Sequence, residues 1–415
     1  MSRVKIVGGG LTGILAAFQA HRLGARDIDL YERFEQLGGV ALPSVRHGLE
    51  MREGCIYFGP KGDPIRILLE DHGVAFEDFD NAFGSVSPAG DASMLSLADF
   101  GGPALPCPDF ALSRALGDSL ADRLSAYPPQ VRDHLTTYAT WHLGHDLADL
   151  HADAAIPMAI NRIYPVGADL SALAEAKRAD PMVDDLYAIP RRLWGRTDNL
   201  TASLPVGGFP ELVRRCRQAL EGLGVTINAQ TLISPRQALA EHAPGETLVW
   251  AASPTPLFKA AGLTTPRSPP KSFATSIFEV DWTGPCPFYV QNFTARGDCF
   301  RAYIYESRGR TLLTAECVRE AEPNALRDEI KMLLAGFGGD LVLGEQLWTS
   351  VKPRWIYHSL EAINGLATLR ATLHQRMGAG FVSGAWEAYS KAEKFAQVNE
   401  GLAQALDPNR RAAAA

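Results

Sequence analysis

Val4-Lys5-Ile6-Val7-Gly8-Gly9-Gly10-Leu11-Thr12-Gly13 decides the fold. Strand-forming residues run into G-x-G-x-x-G, and from Leu11 to Leu23 the pattern becomes that of a helix with one apolar face, stopped by Gly24. Ile28 to Tyr31 then reads as a second, parallel strand. Each glycine of the fingerprint has a separate task. Gly8 permits the sharp turn, Gly10 lets the backbone approach a pyrophosphate, and Gly13 lets helix and strand pack closely. Leu11 and Thr12 open the helix, whose unpaired N–H groups and partial positive charge favour phosphates.

Glu32 ends the second strand at about the ~20-residue offset where an acid grips ribose hydroxyls. A carboxylate there repels a 2′-phosphate, so FAD or NAD is expected over NADP. Arg33 follows, and then Gly38-Gly39, in Glu32-Arg-Phe-Glu-Gln-Leu-Gly38-Gly39. This acid, short spacer and Gly-Gly resemble the flavoprotein group that contains amine oxidases, phytoene-type desaturases, protoporphyrinogen oxidase and UDP-galactopyranose mutase. The resemblance implies FAD, with these residues at the cofactor. It extends to Gly48-Leu-Glu-Met-Arg-Glu-Gly54 and Tyr57-Phe58, similar to the segment such proteins run beside the flavin. Leu204-Pro-Val-Gly-Gly-Phe209, Thr231-Leu232 and Thr247 to Ala252 resemble a second approach, which implies Leu232 near the adenine. Gly380-Phe-Val-Ser-Gly384 resembles the C-terminal flavin-contacting strand, which implies Gly384 at the cofactor. Gly336-Phe-Gly-Gly339 follows a helical pattern and reads as a helix stop, so no separate NADPH unit is expected.

The 415 residues exceed what one growing core holds, so interleaved domains are expected. The predicted class is α/β: a Rossmann-like FAD-binding domain over 1–80, 200–265 and 345–415, with an α+β substrate domain over 81–199 and 266–344. In the latter, Ser113 to Leu124 and Gln130 to Leu143 read as helices, and alternation from about Phe273 to Cys317 predicts an antiparallel sheet. A net charge of −7 without a basic block excludes a nucleic-acid surface. No apolar run reaches the ~18 residues that span a bilayer, and no signal-peptide layout opens the chain. Cys55, Cys107, Cys216, Cys286, Cys299 and Cys317 lie far apart, giving neither a zinc knuckle nor a disulfide framework, and a reducing cytoplasm is the expected compartment. Oligomeric state is not readable.

On the substrate side the chain resembles UDP-galactopyranose mutase at Trp141 and Gly144, Arg162, Gln291-Asn292-Phe293, Arg301 and Tyr389. The resemblance implies that Arg162, Arg301 and Tyr389 hold a sugar-nucleotide diphosphate, for which guanidinium forks are suited. Departures accompany it. Ile56 stands where the mutases have a histidine, Gly384-Ala385-Trp386-Glu387 replaces their Gly-Arg-Leu-Gly, and Val40 replaces the arginine that amine oxidases place after Gly-Gly.

His142, His145 and Asp149 could share a helix face, but Gly144 interrupts it and the spacing fits no zinc motif, so no metal is expected. Trp348, Trp355, Tyr357 and Trp386 are candidates for a flavin-pocket wall or for core packing, and His358 is a candidate acid or base whose expected role is structural. The function expected is an FAD-dependent oxidoreductase that oxidises a small polar substrate by hydride transfer to flavin N5. The alternative is a mutase-like isomerase using reduced FAD on a nucleotide sugar.

Overall fold

The computed structural model describes residues 3–54, 56–80, 82–88, 90, 92–93, 98–99, 117–160, 163–164, 170–187, 201–268, 271–353 and 356–407. Strand Arg3–Val7, the glycine turn, helix Leu11–Arg22 and strand Asp27–Tyr31 form as the sequence predicts. They seed a five-stranded parallel sheet ordered Thr226–Asn228, Asp27–Tyr31, Arg3–Val7, Thr247–Trp250, Phe381–Ser383. All four residues of Thr247–Trp250 are buried, because a parallel sheet carries helices on both faces. Side chains alternate across it: Val249 joins helices Leu11–Arg22, Gly208–Gly222 and Lys391–Leu406, whereas Leu248 and Trp250 join Thr255–Ala261 and Leu360–Met377.

The second sheet has seven strands, ordered Leu341–Pro353, Ser272–Trp282, Arg310–Cys317, Cys299–Ser307, Phe288–Asn292, Ala82–Val86, Ala92–Ser93. The strands from Ser272 to Cys317 pair antiparallel as expected, and the sheet extends beyond them. Ala82–Val86 runs parallel to Phe288–Asn292, a pairing between segments some 200 residues apart that local alternation cannot register. Strand Leu341–Pro353 also carries this sheet through residue 345, where the return to the nucleotide-binding unit was expected; as a largely exposed edge strand it lacks clean alternation. The helix expected from Ser113 begins instead at Leu120, where the Ser119–Asp122 capping box satisfies the first backbone N–H groups; residues 113–116 lie outside the described set.

Helix Pro323–Leu334 covers one face of this sheet and ends through a short 3-10 turn at Gly338, with φ 75°. The helices around Leu120 to Leu186 pack on the other face. A bulge between Cys299 and Arg301 sets which face each residue takes. Cys299 and Ala302 face helix Pro323–Leu334, so Phe300 and Arg301 both lie on the opposite face. That face clamps strand Leu49–Met51 and the residue after it: Tyr303 and Thr314 hydroxyls donate to the Arg52 carbonyl, and Tyr305 donates to the Glu50 carbonyl at 2.9 Å. The seven-stranded sheet is thereby tied by side-chain hydroxyls to the hairpin of strands Ser44–Arg46 and Leu49–Met51.

Candidate functional site

The turn after the first strand is built from glycines that serve different neighbours. Gly8 has φ +106°, and a Cβ on it would lie 2.8 Å from the Ala252 nitrogen. A Cβ on Gly13 would lie 1.9 Å from the Gly8 carbonyl oxygen, so helix and strand approach only because it is missing. Gly9, a variable position of the fingerprint, is equally constrained, since a Cβ would meet the Leu37 side chain at 2.5 Å and Glu32 Cβ at 2.9 Å. Gly10 differs. Its φ of −68° suits any residue, and the nearest atom to a Cβ there is Gly39 Cα at 3.9 Å. Neither backbone nor packing requires glycine at Gly10; what its missing side chain leaves open is a cavity of about 1020 Å³. Gly39 stands across from it, and Gly38 holds the connecting loop by donating its N–H to the Gly9 carbonyl at 2.8 Å. That open space beside a helix N-terminus fits a pyrophosphate.

Glu32 is buried and lines the same cavity, but both carboxylate oxygens also bind backbone. One accepts the Gly9 N–H at 2.8 Å and the other the Phe34 N–H at 3.0 Å. Each keeps a further lone pair, so Glu32 fixes the turn and still offers acceptors to ribose hydroxyls. Arg33 lies over the Phe34 ring at 4.5 Å, and both line the rim. Leu232, 76% exposed, forms the rim opposite, where an apolar side chain suits the face of a purine. Leu11 and Thr12 also line the cavity.

Gly384 does not. A Cβ on it would meet the Trp250 carbonyl oxygen at 2.7 Å, so this glycine serves close packing of the last strand.

At its other end the cavity brings in Arg301 and Tyr389, with Phe83, Ile156 and Tyr289 beside them. Arg301 is buried and donates from Nε to the carboxylate of Glu316, which is 0% exposed. Its charge is met inside the protein. Sequence reading missed Glu316, although an acid within the apolar strand Arg310–Cys317 was a signal that some cation must face it. Tyr389 accepts the His358 backbone N–H at 3.0 Å, and burial raises its phenol pKa. Arg162 lies outside the described residues. Two lysines that sequence reading passed over, Lys391 and Lys394, line the cavity from the first turn of helix Lys391–Leu406. Lys391 donates to the Tyr57 carbonyl, and burial lowers the Lys394 pKa.

Of the two readings of the aromatic group, Trp348, Trp386 and Tyr357 follow packing. Trp348 donates to Glu53 at 2.7 Å, Trp386 shares its N–H between the Trp250 and Ala252 carbonyls, and Tyr357 bonds His142 Nε2 at 2.9 Å; none lines the cavity, and Trp355 lies outside the described residues. Aromatic character alone does not specify a direction. Rings at the cavity include Tyr57, Phe83, Trp250, Tyr289, Tyr389 and Phe395. His358 turns Nε2 to the Trp386 carbonyl at 3.1 Å, a packing role. Among the described residues no group of three His, Cys, Asp or Glu side chains is placed to hold a metal, and no helix is long and apolar enough to cross a membrane.

Residues 6–70 match the NAD(P)-binding Rossmann-like domain family. No curated protein matches the chain. Among solved structures it is similar to reduced UDP-galactopyranose mutase, at 13% identity over 99% of each chain and a TM-score of 0.65. It is also similar to a protein from Exiguobacterium sp. 255-15 assigned as a protoporphyrinogen oxidase, at 12% identity over 98% of each chain and a TM-score of 0.61. Cyclohexylamine oxidase from Brevibacterium oxydans IH-35A matches at 13% identity over 99% of each chain, with a TM-score of 0.52. The chain shares the fold of these solved structures over nearly its whole length, headed by a Rossmann-like nucleotide-binding segment.

Proposed function

We propose that this protein is an FAD-dependent oxidoreductase that oxidises a small polar substrate. One observation carries the reading: a single cavity runs from the open face of Gly10 to a chamber of mainly apolar and aromatic walls, where the Arg301 charge is already met by Glu316. The N-terminus of helix Leu11–Arg22 and the Gly10–Gly39 gap receive the diphosphate, Glu32 and Arg33 the ribose, and Leu232 the adenine. When bound there, FAD supplies a hydride acceptor at its N5. The chain's own part is to orient the substrate and exclude water, through Phe83, Ile156 and Pro157 on the walls and the hydroxyls of Tyr289 and Tyr389.

The buried Arg301–Glu316 pair is neutral as a unit, so Arg301 by itself offers a diphosphate substrate little net charge, and the isomerase alternative would draw on Lys391 and Lys394, which also line the cavity. The test is anaerobic titration of the as-isolated protein with amines, alcohols and UDP-galactopyranose. Bleaching of the flavin bands by an amine or alcohol is expected. Turnover of the nucleotide sugar after dithionite reduction, with no net electron consumption, would instead establish isomerisation.

A further inference from the structure

Charge along the cavity is largely met within the protein. Both carboxylate oxygens of Glu32 accept backbone N–H groups, Asp63 caps helix Pro64–Glu70 by accepting from Ile65 and Arg66, and Arg301 is held by Glu316. Lys394 differs. It lines the cavity half-buried, and its ammonium makes no hydrogen bond or ion pair with any described residue. Burial lowers its pKa, while Glu387 and Glu393 oppose that shift and favour the charged form. Neither acid lines the cavity: Glu387 is engaged by Arg370, and Glu393 is exposed to solvent, where its field is screened. Holding an ammonium out of water without a partner is costly unless a ligand supplies the opposite charge.

The segment that carries Lys394 runs from the chamber toward the nucleotide cradle. Tyr389 stands at the Arg301 end, whereas Phe395 and Val398 pack in one core with Leu11 and Leu15, in the first turns of the helix that follows Gly10. Lys394 sits between them. FAD is linear, with its diphosphate between the adenosine and the flavin, so adenosine at Leu232 and Glu32 and diphosphate at Gly10 leave this middle stretch to the flavin part. We propose that Lys394 is a redox-tuning residue whose positive charge stabilises the reduced cofactor, so that the protein draws electrons from its substrate more strongly than a neutral cavity would. Reduction by hydride adds two electrons and one proton to FAD, which leaves the reduced ring as an anion. A unit charge acts across several Å in a medium of reduced dielectric, so the effect needs no hydrogen bond to the ring. The N-terminus of helix Lys391–Leu406, whose residues Lys391 and Ala392 also line the cavity, adds potential of the same sign. The inference rests on the reading of this cavity as an FAD site. Its readout is a potential and does not require turnover.

The experiment is anaerobic equilibration of the full-length holoprotein with reference dyes at neutral pH, which reads the two-electron midpoint potential, for the wild type, Lys394→Met and Lys394→Arg. Lys394→Met is expected to make reduction about tenfold less favourable, which for two electrons is about 30 mV. Lys394→Arg keeps the charge and is expected to keep the wild-type potential. FAD content and apoprotein melting temperature are measured beside it, and a merely structural role would move those and leave the potential of the bound flavin alone. Should Lys394→Met hold no FAD, Lys394→Gln supplies the neutral comparison. Equal potentials in the wild type and the neutral variant would overturn the proposal, as would a loss of the same size in Lys394→Arg, or loss of FAD from both neutral variants. An unchanged potential with weaker binding of UDP, read by calorimetry, would also overturn it and assign Lys394 to a diphosphate substrate. Absence of flavin from the purified wild type would overturn the FAD reading instead.

Discussion

The nucleotide cradle and the substrate chamber lie in one cavity but are specified in different ways. The cradle comes largely from residues 4–39, where each constraint acts over a few positions: a turn at Gly8, a backbone contact at Gly13, an acid at Glu32. The chamber comes from pairs far apart in the chain, Arg301 with Glu316 and Tyr289 with Gln291 and Tyr138. The cradle spends glycines to make room, whereas the chamber buries charge and hydroxyls that must all be matched. Errors in the chamber should therefore cost more stability than errors in the cradle.

The largest effect is expected at that buried ion pair. Glu316→Gln leaves the Arg301 guanidinium buried without its counter-charge, for which the penalty is about 3–5 kcal/mol. Denaturant unfolding of the wild type and the variant measures it. A loss under about 1 kcal/mol would mean that water or another group already meets the Arg301 charge. Gly13→Ala should follow, at about 2–3 kcal/mol, because its methyl group meets the Gly8 carbonyl rather than a flexible side chain. Thermal melts of the two variants side by side test the order, and a Gly13→Ala loss above that of Glu316→Gln would reverse the contrast drawn between the two regions.

This difference also explains what could be read from sequence. Gly8, Gly10, Gly13 and Gly39 stand where the fingerprint and the Gly-Gly doublet put them; local sterics fix Gly8, Gly13 and Gly39, while Gly10 only leaves the cavity open. Gly9 was not recognised as constrained, because its neighbours Leu37 and Glu32 come from beyond the next strand. On the chamber side, alternation would have placed Cys299 and Arg301 on one face of the sheet. The bulge at Phe300 separates them and aims Arg301 toward the cavity. Single-sequence patterns carry no register, so neither Glu316 as partner of Arg301 nor the relay behind Tyr289 could be assembled beforehand. The aromatic residues show the same limit: Trp348, Tyr357 and Trp386 satisfy their polar atoms away from the cavity, while Tyr57, Phe83 and Tyr289 line it.

A smaller effect separates the regions by pH. His142 is buried behind the chamber against Tyr357, and burial holds its imidazole well below the ordinary value of 6.5; His358 is lowered in the same direction. The unfolded chain takes up these protons as the pH falls through 6.5 while the folded chain resists them. This contribution is therefore intact above that pH and is lost below it, at up to about 1.4 kcal/mol per pH unit for each proton. Melting temperatures of the wild type and His142→Gln between about pH 8 and about pH 5 test this, with a shallower acid-side decline expected for the variant. An unchanged slope would assign the acid sensitivity to other groups.

The central claim concerns Gly10, whose missing side chain serves a ligand and not the protein. The direct measurement is FAD content and apoprotein melting temperature of the wild type and Gly10→Val after identical purification and reconstitution. The expected result is a yellow wild type holding about one FAD per chain, and a variant that melts like wild-type apoprotein yet holds almost none. A colourless wild type, or a Gly10→Val protein that binds FAD as fully as its parent, would contradict it.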